Sequence, residues 1–148
     1  MSLDKYSLVS DEHFILFEFV SEGLKGKINK LIQFASANYH NIYNLGFGDK
    51  DTQTGKVDDT VVSNNGDSEK VLGTILESLY MFTDEYPDAL VYAVGTTKSR
   101  TRLYQIGISK FIEKAQEDFI IYGQIGAEWY LFEKNINYEA FLVKRIKK

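Results

Sequence analysis

Cysteine is absent, proline occurs once, at Pro87, and histidine only twice, at His13 and His40. Without cysteine there can be no disulfide, no thiol nucleophile and no thiolate metal site. The two imidazoles lie in different segments with no metal-ligand spacing between them, which leaves a histidine-based zinc or catalytic centre little support. No apolar run approaches the roughly 20 residues that span a bilayer, and no stretch reads as a signal peptide, so a cytoplasmic protein of bacterial type is expected. Positive charge is also scarce. Seventeen Lys and Arg face 21 Asp and Glu, a net charge of −4. That balance opposes a general nucleic-acid binder and leaves room only for a local basic patch.

What the chain does contain is a core. Its 148 residues are 44% hydrophobic, with ten Tyr and ten Phe. A chain of this size forms one domain, residues 1–148, and buries about two-thirds of its unfolded surface. Residues 1–12 are polar and read as an irregular lead-in. Aromatic and branched residues predict strands over His13–Val20, Lys27–Phe34 (Ile28, Ile32 and Phe34 on one face), Ile42–Gly48 and Val57–Val62. The stretch 49–59 between the last two reads as an acidic hairpin turn. It has calcium-loop character only in part, because its glycine is one place late and strands flank it.

The most secure helix is Asp67–Glu85, where Val71, Leu72, Ile75, Leu76, Leu79 and Tyr80 make one apolar stripe and Pro87 stops the helix. Ala89–Val94 is a fully apolar strand, followed by a Gly-Thr-Thr turn and a helix from Lys98. Gly107 should end or kink that helix, which is carried on to about Ala115. Three strands close the chain: Phe119–Gln124, Glu128–Glu133 and Tyr138–Lys144. The expected class is α+β, a mixed, mostly antiparallel sheet of about six or seven strands with two main helices.

The element order, with Arg102-Leu103-Tyr104-Gln105-Ile106-Gly107-Ile108, resembles the GNAT-type N-acetyltransferase fold over residues 42–144. The resemblance implies acetyl-CoA as cofactor, held where Asn64, Asn65 and Gly66 open the first long helix, and Tyr104 as a general acid. That loop is degenerate here: it has one early glycine, and Asp67 and Glu69 would repel a pyrophosphate. Residues 63–72 and 100–109 also resemble a bacterial family of about this length and uncharacterised function, over nearly the whole chain.

The residues themselves single out the start of the second helix. Thr96, Thr97, Lys98, Ser99, Arg100 and Arg102 combine hydroxyls, helix-start N–H groups and guanidinium forks, a set suited to phosphate or carboxylate. Against that stands a structural role in which Arg100 and Arg102 pair with Asp67, Glu69 or the Asp58-Asp59 pair. Tyr104, one turn into an amphipathic helix, also suits the core. The adjacent carboxylates Asp58-Asp59 and Glu117-Asp118 read as turn or strand-edge residues. Three functions follow: a small ligand- or anion-binding or interaction domain on an acetyltransferase-like scaffold, a divergent acyl-CoA-dependent N-acyltransferase, or one component of a toxin–antitoxin pair acting on RNA or a protein partner. The partner expected is a small anionic ligand or a protein, with no membrane and no metal.

Overall fold

A computed structural model describes residues 4–58, 64–95 and 97–147. Its element order is five strands, a helix, a strand, a helix and three strands. Six of its strand pairs are antiparallel and one is parallel. The α+β class expected from the sequence is therefore correct, with nine strands among the described residues. By internal contacts the chain falls into two compact units, Met1–Ala35 with Gly46–Glu85, and Ser36–Leu45 with Tyr86–Lys148.

The first unit is built on a long hairpin. Strands β2 (Leu16–Gly23) and β3 (Gly26–Ser36) pair from Leu16↔Gln33 to Gly23↔Gly26, which leaves Leu24 and Lys25 as a two-residue turn. Gly26, at φ +87°, supplies the left-handed backbone that such a turn needs. Strand β2 starts later than its apolar run suggests. Asp11 Oδ1 accepts from Ile15 N (2.9 Å) and Leu16 N (3.1 Å), and Phe14 takes φ +60°, so His13 to Ile15 form a turn ahead of the strand. The lead-in is not wholly irregular either. Val9–Ser10 (β1) pairs with Glu18 and Phe17.

Helix α1 (Ser68–Glu85) buries Val71, Leu72, Ile75, Leu76 and Phe82, and its Phe82 ring stacks on Phe34 with centroids 4.2 Å apart. Phe17, Phe19, Ile32 and Phe47 complete that core. Lys30 sits in the same inward face, 5% exposed, which period-two patterning alone would give to an apolar residue. It is tolerated because its ammonium is paired with Asp49; an unpaired charge there would carry a large desolvation penalty. Asp49 and Lys50, at the end of β4 (Ile42–Lys50), pair with β5 (Val57–Asp58) across a turn in which Asp51 Oδ1 accepts from Gln53 N and Thr54 N. That is the hairpin expected for residues 49–59, although Asp59 and the rest of the predicted Val57–Val62 strand lie outside the described residues.

In the second unit, the first residues of β4 run parallel to β6 (Leu90–Ala93), Ile42↔Leu90 to Asn44↔Tyr92. Beyond β6 come β9 (Ala140–Arg145), β7 (Phe119–Ile125) and β8 (Glu128–Leu131), so the last strand of the chain lies between β6 and β7. Val91, Ala93, Phe119, Ile121, Phe141 and Val143 are buried there. Helix α2 spans Lys98–Asp118 and passes directly into β7, with the Phe119 N–H bonded to Ala115 O. It neither stops at Gly107 nor ends at Ala115. Gly107 is buried, as are Tyr104 and Ala115, and the helix runs through it despite the ~1 kcal/mol that glycine costs a helix interior. Glu117 and Asp118 close α2 and are not strand-edge residues.

Candidate functional site

The second unit carries an open groove of about 1160 Å³ along α2. One wall is a helix face, with Lys98, Arg102, Ile106 and Lys110 recurring at four-residue spacing, which places them on one side of the helix. The other wall is the chain between β8 and β9, contributing Lys134, Asn135, Asn137, Tyr138 and Glu139. Four cations thus face one carboxylate in a chain whose net charge is −4. That carboxylate is already engaged, since Glu139 Oε2 accepts from Gly126 N at 2.6 Å. Lys98, Arg102 and Lys134 have no ion-pair partner among the described residues.

The walls are held by specific bonds. Gln105 donates from Nε2 to Ile136 O (2.6 Å) and accepts at Oε1 from Tyr138 N (2.9 Å), so one side-chain amide ties α2 to the opposite backbone. Tyr138 is buried, its hydroxyl accepts from Glu133 N (3.0 Å), and its ring lies over Gly123, where a Cβ would come within 2.7 Å of a ring carbon. At the groove's end Thr97 is the N-cap of α2, its hydroxyl accepting from Arg100 N at 3.2 Å. Gly95 lets β6 approach the helix start closely: its N–H donates to Thr101 Oγ1 (2.9 Å), and a Cβ on it would stand 2.5 Å from the Thr101 nitrogen.

The residues nominated from sequence divide. Thr97, Lys98 and Arg102 line the groove. Ser99 is exposed but outside the lining, and Thr96 lies outside the described residues. Arg100 is 7% exposed and turned into the protein. Tyr104 is 5% exposed and does not reach the groove, a core position. Arg102 forms no ion pair among the described residues, and of the partners weighed for it Asp59 lies outside them.

Asn64, Asn65 and Gly66 belong to the first unit and are engaged in its hairpin. Asn65, 2% exposed, donates to Ser21 Oγ (3.1 Å) and Gly26 O (2.9 Å), and its backbone oxygen accepts from Leu24 N (3.1 Å). Asn64 Oδ1 accepts from Gly66 N (3.1 Å). Asp67 accepts from the Tyr6 hydroxyl (2.6 Å) and from Ser21 Oγ. Burial, and then that bond to Asp67, raise the Tyr6 pKa above the ordinary tyrosine value. No group of three or more His, Asp or Glu placed to hold a metal occurs among the described residues.

Gln105, Ile106, Ser109, Lys110, Lys134, Asn135, Asn137 and Glu139 were not nominated from sequence. The four-residue spacing of Lys98, Arg102, Ile106 and Lys110 was a usable signal, whereas residues 134–139 are brought in by the β7–β9 pairing, which local patterning does not reveal.

A model of a family of unknown function, DUF6934, matches residues 2–146. The chain belongs to that family. The match confirms the near full-length resemblance to an uncharacterised family, and it brings no activity with it. No curated protein and no solved structure matches the chain. No helix among the described residues is long and apolar enough to cross a membrane.

Proposed function

We propose that this member of the family is a small binding domain whose ligand is an anion held in the groove along α2. The observation that carries the reading is the convergence of Lys98, Arg102 and Lys134, from two separate elements, on one concave surface without ion-pair partners among the described residues. Like charges gathered in a cleft with low-dielectric walls repel one another and concentrate the field on whatever counter-charge enters. Lysine supplies a point charge and arginine a planar fork, which together suit phosphate or carboxylate oxygens.

The acyltransferase alternative draws on element order and on the parallel β4–β6 pair. It is the weaker reading, because Asn65 and Asp67, in the loop where the coenzyme phosphates would bind, are tied to Ser21, Gly26 and Tyr6. The toxin–antitoxin alternative would use the same Arg102.

Thermal stability measured with millimolar inorganic pyrophosphate, and separately with acetyl-CoA, tests the proposal. Pyrophosphate is expected to raise the melting temperature saturably, and the Lys98→Ala, Arg102→Ala double variant to lose that rise. An unchanged melting temperature in wild type would overturn the anion reading, and a rise with acetyl-CoA alone would favour the acyltransferase.

A further inference from the structure

We infer that β8 pairs edge to edge with β8 of a second copy of this chain, about a twofold axis at Tyr130. The inference is independent of the anion groove. Among the described residues β8 has a hydrogen-bonded neighbour on one side only, β7. The register fixes which groups face the open side. Phe132 N donates to Ile121 O (2.9 Å), and Gly123↔Tyr130 and Ile125↔Glu128 follow at two-residue steps. In an antiparallel pair alternate residues exchange the bonds, so Glu128, Tyr130 and Phe132 turn their backbone to β7. Trp129 and Leu131 turn theirs outward, one N–H and one C=O each. The next outward donor, Glu133 N, is taken by the Tyr138 hydroxyl (3.0 Å). That hydroxyl also lies 3.5 Å from Leu131 O, which keeps a second lone pair. The open edge is therefore two residues, symmetric about Tyr130.

Natural sheet edges are usually blunted by lysine, proline, a bulge or extreme shortness. β1, at the other end of the strand order, is two residues long. β8, Glu-Trp-Tyr-Leu, contains neither lysine nor proline, and its one charge stands at its first residue. All four residues are exposed, Tyr130 at 50% and Leu131 at 64%. The Trp129 ring meets Tyr92 of β6, with centroids 6.1 Å apart, on the side away from the open edge.

A second copy is the occupant these features fit. Under the twofold axis, Trp129 of one chain and Leu131 of the other exchange both backbone bonds, and symmetry repeats the exchange, so no outward group of either residue is left over. Tyr130 meets its own counterpart as a close, non-hydrogen-bonded aromatic pair. The strand ends also match in charge. Antiparallel copies bring Glu128 of one chain near the end of the other, where alternation puts Lys134 on the same face and Glu133 on the opposite one. Lys134 has no ion-pair partner among the described residues of its own chain. It borders the groove as well, and this contact leaves Lys98 and Arg102 to a ligand. Area sets the strength. Four residues span about 13 Å of edge, too little to reach the roughly 1,000 Å² of a stable interface, so the dimer is reversible and concentration-dependent.

Sedimentation equilibrium from about 5 to about 500 µM protein tests the inference, since a reversible dimer populates with concentration. The mean mass is expected to climb from 17.0 kDa towards twice that value, and Leu131→Asp to hold the chain near the monomer mass over the same range. The chain contains no cysteine, so a single introduced thiol can form a disulfide only with a second copy. Non-hydrogen-bonded partners stand about 4.5 Å apart at Cα, within disulfide reach, so Tyr130→Cys is expected to cross-link under mild oxidation. Leu131→Cys, whose own counterpart lies diagonally across at about 7–8 Å, and Leu24→Cys, exposed in the β2–β3 turn, are expected not to. A mass of 17.0 kDa throughout assigns the edge to another chain or to water and overturns the inference. Self-association indifferent to Leu131→Asp, or Tyr130→Cys cross-linking no faster than Leu131→Cys or Leu24→Cys, overturns it as well. Circular dichroism of each variant checks that it is folded.

Discussion

The Asn64–Asp67 turn and the Thr97–Arg102 helix start carry similar chemistry in sequence: small polar residues, a tight turn, and the opening of a long helix. The folded chain treats them differently. In the turn, nearly every polar group has an internal partner, and Asn65, Asp67, Ser21 and Tyr6 form one bonded cluster that closes the β2–β3 hairpin against the start of α1. At the second helix, Thr97 satisfies the cap internally, yet Lys98 and Arg102 stay exposed beside a groove. Polar residues with their bonds completed inside the protein give it rigidity, while those left facing a concavity remain available to a ligand. Residue type alone does not separate the two cases; what the neighbours already satisfy does.

Substitutions can break this contrast. The largest effect is expected from Asn65→Ala, which strands buried donors and acceptors of the hairpin and should cost about 2–3 kcal/mol. Urea denaturation measures it, and anion binding at the α2 groove should persist in the folded fraction. A smaller loss, about 1 kcal/mol, is expected from Thr97→Ala, since the N-cap bond to Arg100 N disappears; the same denaturation measurement checks it. The smallest stability change belongs to Lys98→Ala and Arg102→Ala, within about 0.5 kcal/mol of wild type because exposed side chains without partners hold little of the fold together. Should Lys98→Ala or Arg102→Ala prove as costly as Asn65→Ala, those cations belong to the folded scaffold and the contrast collapses.

Much of the architecture was legible because it is written in local periodicity. The α1 stripe placed that helix within a residue of its observed start, and the apolar runs located every strand except the two-residue β1. The errors have local physical causes. Asp11 ties the backbone ahead of β2 into a turn, so His13 to Ile15 leave the strand despite their composition. Gly107 is a single glycine inside a 21-residue helix, which tolerates its cost of ~1 kcal/mol without ending. Burial of Lys30 became comprehensible only with Asp49 beside it, a pairing between distant segments.

The site was legible only in part for the same reason. Lys98, Arg102 and Thr97 stood out by their place at a helix start. Lys134, Asn135 and Asn137 are ordinary loop residues until β9 inserts beside β7 and brings them opposite α2. Arg100 looked equivalent to Arg102 in sequence, but two residues along a helix turn a side chain through more than half a revolution. One was therefore taken inward and the other left at the rim.

The Gln105 amide has a kinetic consequence. Because it bonds both Ile136 O and Tyr138 N, the far wall of the groove is ordered when the protein folds rather than when a ligand arrives. The entropy of fixing that segment is lost once, in advance. Association should then proceed as a single bimolecular step, with no slow closing phase after encounter, and differences among ligands should reside in how fast they leave.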